Sequence, residues 1–165
     1  MRPIGDLRVS SVVHPVIVVV DLNQSLAFYR DLLGLVVTYD EVHDPIVIGR
    51  LTGYRDPDIR AVILQASDGT EVELAEFRTP ASRRMPEPEW RDAGLRSITF
   101  LVPDIVDLVG TMRTAGVSFL SDVVDQPLPE GRVAKVVYCF DPDRVIVTLV
   151  QMPPGQRSLG THRQV

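Results

Sequence analysis

The sequence predicts an α+β fold: two tandem βαβββ modules whose sheets form one open-barrel cleft. Three observations predict it. A β-rich apolar run closed by an Asp leads into a one-sided helix near the start of the chain. The same arrangement recurs from Ser97, and each copy is followed by three further strand-like segments.

The first copy opens with Val13-His14-Pro15-Val16-Ile17-Val18-Val19-Val20-Asp21-Leu22. Leu22, Leu26, Tyr29 and Leu33 then fall on one helical face, and Gly34 stands where a left-handed C-cap ends a helix. Strands are predicted over Leu35 to Glu41, Arg60 to Ala66 and Thr70 to Phe77, with Ser67-Asp68-Gly69 turning between the last two. The second copy opens with Arg96-Ser97-Ile98-Thr99-Phe100-Leu101-Val102-Pro103-Asp104-Ile105. Ile105, Leu108, Val109 and Met112 share a helical face that ends at Gly116. Its strands are predicted over Val117 to Leu120, Ala134 to Phe140 and Val145 to Gln151, with Asp141-Pro142-Asp143 as the last turn. Asp21 lies seven residues after His14, and Asp104 seven after Ser97, so the copies keep one spacing. A single βαβββ unit leaves one sheet face bare. Pairing two closes those faces around a central cleft, where a ligand would sit. The expected organisation is module one at 10–77, a Pro-rich charged linker at 78–93, module two at 94–152 and a loose tail at 153–165.

Composition narrows the function classes. The chain has 165 residues, 45% of them hydrophobic, with net charge −5 and one Cys. A domain of this length buries roughly 70% of its unfolded surface without disulfides or a structural metal. Cys139 alone makes neither an internal disulfide nor a Cys-rich zinc site, and alternation opposite Tyr138 makes it a buried small hydrophobe. No apolar run is long enough to span a bilayer, and the first residues lack a signal-peptide pattern, so the expected address is cytoplasmic. The acidic balance argues against a nucleic-acid partner. Neither a phosphate-cradling Gly loop nor a nucleophile elbow is present.

The sequence resembles the vicinal oxygen chelate superfamily, which includes glyoxalase I, methylmalonyl-CoA epimerase, extradiol dioxygenases and the bleomycin and fosfomycin resistance proteins. The resembling residues of the first half are His14, Asp21-Leu22 through Phe28-Tyr29, Leu33-Gly34-Leu35, and Asp68-Gly69-Thr70-Glu71-Val72-Glu73-Leu74. In the second half they are Gly94-Leu95-Arg96-Ser97-Ile98, Val102-Pro103-Asp104-Ile105 and Phe140-Asp141-Pro142-Asp143. The resemblance implies a metal site with one ligand from the first strand and one from the last strand of each module. Those positions hold His14 and Glu73 in module one, but Ser97 and Thr148 in module two, and Arg144 replaces the usual Gly of the last turn. A divalent ion with open catalytic positions wants three or more imidazole or carboxylate ligands, so His14 and Glu73 form only a partial site.

Each candidate has two readings. His14 on an apolar strand is either a hydrogen-bonded core residue or pocket lining. Glu73 is either a solvated strand residue or a buried carboxylate in need of a partner. Facing one cleft without metal, the two would form an acid–base pair for proton abstraction next to a carbonyl or for ring opening. Ser97 and Thr148 either offer hydroxyls to a ligand or are core residues satisfied by backbone, Tyr138 would add an aromatic hydroxyl to the cleft wall, and Arg60 would bind an anionic group if it is not a surface residue. Lys135 and Tyr138 point to opposite faces. Trp90 is either a lid or a residue tacking the linker to the core. His43 and Glu41 fall after the second strand, at the rim, and are not recruited. The expectation is an enzyme with isomerase or lyase chemistry on an oxygenated small molecule, carrying one divalent metal ion or none, and forming a homodimer. A metal-independent binding and sequestration protein of the bleomycin-resistance type is the alternative.

Overall fold

Asp21 and Asp104 start the two helices around which the fold is organised. Both are extended, with φ −135° and −139°, and each carboxylate accepts from the backbone amides two and three residues ahead, at 2.9–3.1 Å. This is N-capping, which satisfies amides that no helical carbonyl can reach. The computed structural model describes Val9, residues 11–84, Pro86, Arg91 and residues 93–156. Trp90 and the end of the expected tail lie outside the described residues.

The chain divides into two compact units, Met1–Arg84 and Met85–Val165. The first contains β1 (Val16–Val19), α1 (Leu22–Leu26), β2 (Val36–Val42), α2 (Pro45–Thr52), β3 (Asp58–Gln65) and β4 (Glu71–Thr79). The second contains β5 (Ser97–Leu101), α3 (Ile105–Thr114), β6 (Val124–Pro127), β7 (Val133–Phe140) and β8 (Ile146–Gln151). Each unit has one four-stranded sheet, ordered β1-β4-β3-β2 and β5-β8-β7-β6. In both, the first strand runs parallel to the last and the other pairs are antiparallel. The fold is α+β, in the tandem βαβββ arrangement.

The two sheets share a register. Val16 lies opposite Glu73 in the first and Thr99 opposite Thr148 in the second. The first free amide of each helix reaches the last strand of its own unit: Leu22 N–H donates to Glu76 Oε1 at 3.2 Å, and Ile105 N–H to Gln151 Oε1 at 3.0 Å. These contacts fix which sheet face each helix covers. Under α1 lie the buried Val19, Val62, Leu64 and Leu74, and under α3 the buried Val137, Cys139, Val147 and Leu149. Burying each such aliphatic side chain contributes about 1.5–3 kcal/mol. Burial, followed by the charge of Asp141, pushes the Cys139 thiol up to about 12, so it packs as an inert small hydrophobe.

One residue separates the helices of the two copies. Gly34 lies thirteen residues after Asp21, whereas Gly116 lies twelve after Asp104. The first helix absorbs the extra residue by widening into a π-helical stretch over Ala27–Leu32, where Leu33 N–H donates to Phe28 O at 3.0 Å. Both glycines then take φ near +80°, as their C-cap positions require.

Two elements differ from the expected order. Helix α2 carries clear start and stop signals, with Asp44 capping Ile46 and Val47, Pro45 in the first turn and Gly53 at φ +78°. It buries no residue, so no core-facing stripe announces it. The strand expected over Val117 to Leu120 is reduced to an isolated bridge between Phe119 and Cys139. The fourth strand of that sheet is instead β6, whose Val-Asp-Gln-Pro sequence is polar and Pro-terminated, as suits an edge. Among the described residues no helix is long and apolar enough to cross a membrane. Replacing Asp104 by Ala should cost about 1 kcal/mol in urea denaturation, and Asp104→Asn, which keeps the acceptor, should stay near wild type.

Candidate functional site

The parallel β1–β4 ladder brings His14 to Glu73. Glu73 N–H donates to Pro15 O at 3.0 Å and Val16 sits opposite Glu73, so the residue just before Pro15 stands beside this part of β4. Glu76 faces α1, and strand alternation therefore turns Glu71 and Glu73 to the opposite, open face. There His14 Nε2 lies 2.9 Å from Glu73 Oε2, and His14 Nδ1 lies 3.9 Å from Glu71 Oε2. A fourth side chain joins them: His43 Nε2 is 3.8 Å from Glu73 Oε1. His43 follows β2, and its N–H donates to Ile59 O at 2.9 Å, which holds it at the end of β3. The His14 and Glu73 side chains are only 19% and 15% exposed, so water screens their contact weakly.

This geometry assigns the tautomer of neutral His14. An ionised carboxylate only accepts, so Nε2 carries the proton donated to Glu73 and the lone pair is at Nδ1. That Nδ1 is buried and has no hydrogen-bond partner. Leaving a buried acceptor unsatisfied costs about 1–3 kcal/mol, so a water, ion or ligand that completes it is stabilising there. Glu71 is held at the side by Gln65, whose Nε2 donates to its Oε1 at 3.1 Å.

In the second unit Thr148 lies between Thr99 and Tyr138 on neighbouring strands, and Ser97 is two residues before Thr99 on the same face. Thr148 is buried. The positions equivalent to His14 and Glu73 therefore present neutral hydroxyls on a face whose register matches that of the first unit. These donors do not fit the divalent ion that the resemblance implies. Among the described residues, no group of three or more His, Cys, Asp or Glu side chains could hold a metal ion.

Arg60 is placed elsewhere. It lies opposite Glu76, on the helix-bearing face, and binds Asp40 through two hydrogen bonds of 2.7 and 2.6 Å. A β-bulge between Val37 and Tyr39 gives β2 the phase for this pairing and turns Tyr39 to the open face opposite Ile63. Lys135 lies opposite Gln151, also on the helix-bearing face, and pairs with Asp125 at 3.0 Å. His43 is the residue the sequence reading passed over. Its signal was an imidazole at the end of a strand, and only the register of β2 on β3 aims it toward Glu73.

A profile of the Glyoxalase/Bleomycin resistance protein/Dioxygenase superfamily matches residues 11–149. The chain belongs to this superfamily. No curated protein matches it in sequence. Solved structures of the superfamily superpose across most of the chain. A glyoxalase family protein from Bacillus cereus is 19% identical with TM-score 0.75, over 88% of this chain and 95% of its own. The trypanothione-dependent glyoxalase I of Leishmania major is 23% identical with TM-score 0.61, over 87% of each chain. The genomically encoded fosfomycin resistance protein FosX of Listeria monocytogenes is 15% identical with TM-score 0.61, over 89% of this chain and 97% of its own. At these identities the likeness shows the superfamily fold alone.

The Asp40–Arg60 pair gives a pH test. Its hydrogen bonds to Arg60 hold the Asp40 carboxyl below its usual range. A depressed carboxyl stabilises the fold above its unfolded pKa, and that contribution is lost as pH falls through the folded one. Asp40→Asn should lower stability by about 0.5 kcal/mol near neutral pH, a value reduced for exposure. The difference from wild type should disappear in acid, as read by denaturation at a series of pH values.

Proposed function

We propose that this superfamily member is an enzyme acting on an oxygenated small molecule by isomerase or lyase chemistry, with His14 and Glu73 as a metal-independent acid–base pair. The observation that carries this reading is the buried Nδ1 of His14, left without a partner while Nε2 is fixed by Glu73 at 2.9 Å. A base held in one tautomer by a carboxylate, with its other nitrogen free, is arranged to accept a proton. Once movement of the neighbouring side chains uncovers it, Nδ1 would take the proton from a carbon next to a carbonyl, and the electron pair would move onto the carbonyl oxygen. Returning that proton to the neighbouring atom completes an isomerisation, while loss of a group on the adjacent carbon completes an elimination. Glu73 orients the ring and stabilises the imidazolium that forms. Glu71, 3.9 Å from Nδ1, is placed to receive the new N–H after a small shift. The equivalent face of the second module carries Ser97, Tyr138 and Thr148, which are neutral hydroxyls in place of charged groups.

The test is exchange of carbon-bound hydrogen for deuterium in D2O, followed by NMR across a panel of hydroxycarbonyl and ketoacid compounds. His14→Ala should slow exchange of the active compound by about 10²–10⁴-fold, and Glu73→Gln should give a smaller loss. Unchanged exchange in both variants would overturn the assignment. Elemental analysis of protein purified without added metal should show less than stoichiometric metal. A stoichiometric ion that is lost in His14→Ala would replace the acid–base pair with a metal site.

A further inference from the structure

We propose that Arg96 is the centre of an anion-binding site in the second unit, which takes the carboxylate or phosphate group of a small molecule.

The basis is what each arginine meets. Among the described residues, Arg30, Arg60, Arg78, Arg113 and Arg132 each lie within 4 Å of a carboxylate. Arg50, Arg55, Arg83, Arg84 and Arg91 are exposed to water, and Arg144 lies 4.0 Å over the Phe140 ring. Arg96 differs from all of them. It is half-buried, its Nε is buried without a hydrogen-bond partner, and no described carboxylate lies within 4 Å of it. An imidazole in such a place can give up its proton, but a guanidinium cannot. Its charge is completed by an oxyanion, which meets the guanidinium edge with two parallel hydrogen bonds.

The chain leaves room for that partner. Gly94 has φ +132°, which other residues rarely adopt, and a Cβ on it would stand 3.2 Å from Arg96 Nη2. Ala93, Gly94 and Leu95 are exposed, so solvent reaches the guanidinium from this turn. In the first copy the residue before His14 is Val13, 72% exposed, so the βαβββ frame itself calls for no arginine here.

The acids at this end of the second sheet are engaged elsewhere. Ser97 lies opposite Ile146, so the turn over 141–145 ends beside Arg96. Asp141 and Asp143 stand in that turn, yet neither pairs with Arg96. Asp141 Oδ1 instead accepts from the Asp143 and Val145 amides at 2.9 and 2.7 Å. Asp122, beyond the end of α3, binds Arg113 at 2.6 Å. The same turn carries Arg144, whose charge adds to that of Arg96.

The test titrates the full chain with inorganic phosphate and with acetate, at an ionic strength held constant with sodium chloride. The arginine Nε–Hε signals are followed by NMR, and the one absent from Arg96→Gln belongs to Arg96. That signal should move and saturate, with Kd in the range of about 0.1–10 mM, and Arg96→Gln should bind at least about tenfold more weakly. Arg96→Lys keeps the charge without the planar fork and should recover only part of the affinity. At about ten times Kd the anion should raise Tm by about 2–5 °C in wild type, and not in Arg96→Gln. Saturation by acetate assigns a carboxylate and saturation by phosphate alone a phosphate ester, and either upholds the site. An Arg96 signal that stays still, or that chloride moves as much, would overturn it, as would undiminished binding in Arg96→Gln. The site makes no use of His14, so unchanged deuterium exchange in His14→Ala would count against the acid–base pair alone.

Discussion

Each module depends on a parallel pairing between its first and last strands. A parallel neighbour cannot be reached by a hairpin, so the chain must cross over, and here the crossover carries the helix that covers one sheet face. The capping Asp fixes where that helix begins, and the helix's first free amide is satisfied by a side chain of the last strand, Glu76 or Gln151. Strand order, helix placement and the choice of covered face follow from this linked set of contacts. The same pairing sets Val16 beside Glu73, and so brings His14 within hydrogen-bond reach of that carboxylate.

The two copies keep this frame and diverge in what they hang on it. One rung bears Val16 and Glu73 in the first module, Thr99 and Thr148 in the second. The second therefore loses charged donors without losing shape, because a Thr side chain can occupy a buried strand position with little demand for a counterion. The first keeps an imidazole and carboxylates, then gathers His43 as well. Charge is sorted by strand phase: Asp40, Glu76 and Asp125 meet Arg or Lys on the helix-bearing faces, and Glu71 and Glu73 meet imidazoles on the opposite one. The extra residue of the first helix is absorbed by a π-helical stretch, which leaves the cap, the terminal glycine and the strand register in step with the second copy.

Much of this was legible in the sequence because it is written in local signals. Asp21 and Asp104 announce helix starts, Gly34 and Gly116 announce their ends, and the β-rich apolar runs of β3, β4, β7 and β8 mark strands. What was missed lacks such a signal. Helix α2 is short and buries nothing, and β6 is a short polar edge strand, so neither offers a long apolar stripe that points to the core. Arg60 read equally well as an anion-binding or a surface residue, because its face depends on pairing with β4 and on a bulge in a different strand.

By itself, then, the sequence determined the repeat, the fold class and the equivalence of His14 with Ser97, since spacing suffices for these, whereas Glu73 and Thr148 came in as the positions that the resemblance implies. The tertiary structure alone decided that Nε2 and not Nδ1 of His14 meets Glu73, that His43 joins them, and that Arg60 turns away. Those outcomes depend on register and strand phase, where a shift of one residue reverses every side chain, and such long-range pairing leaves no mark in any short stretch of sequence.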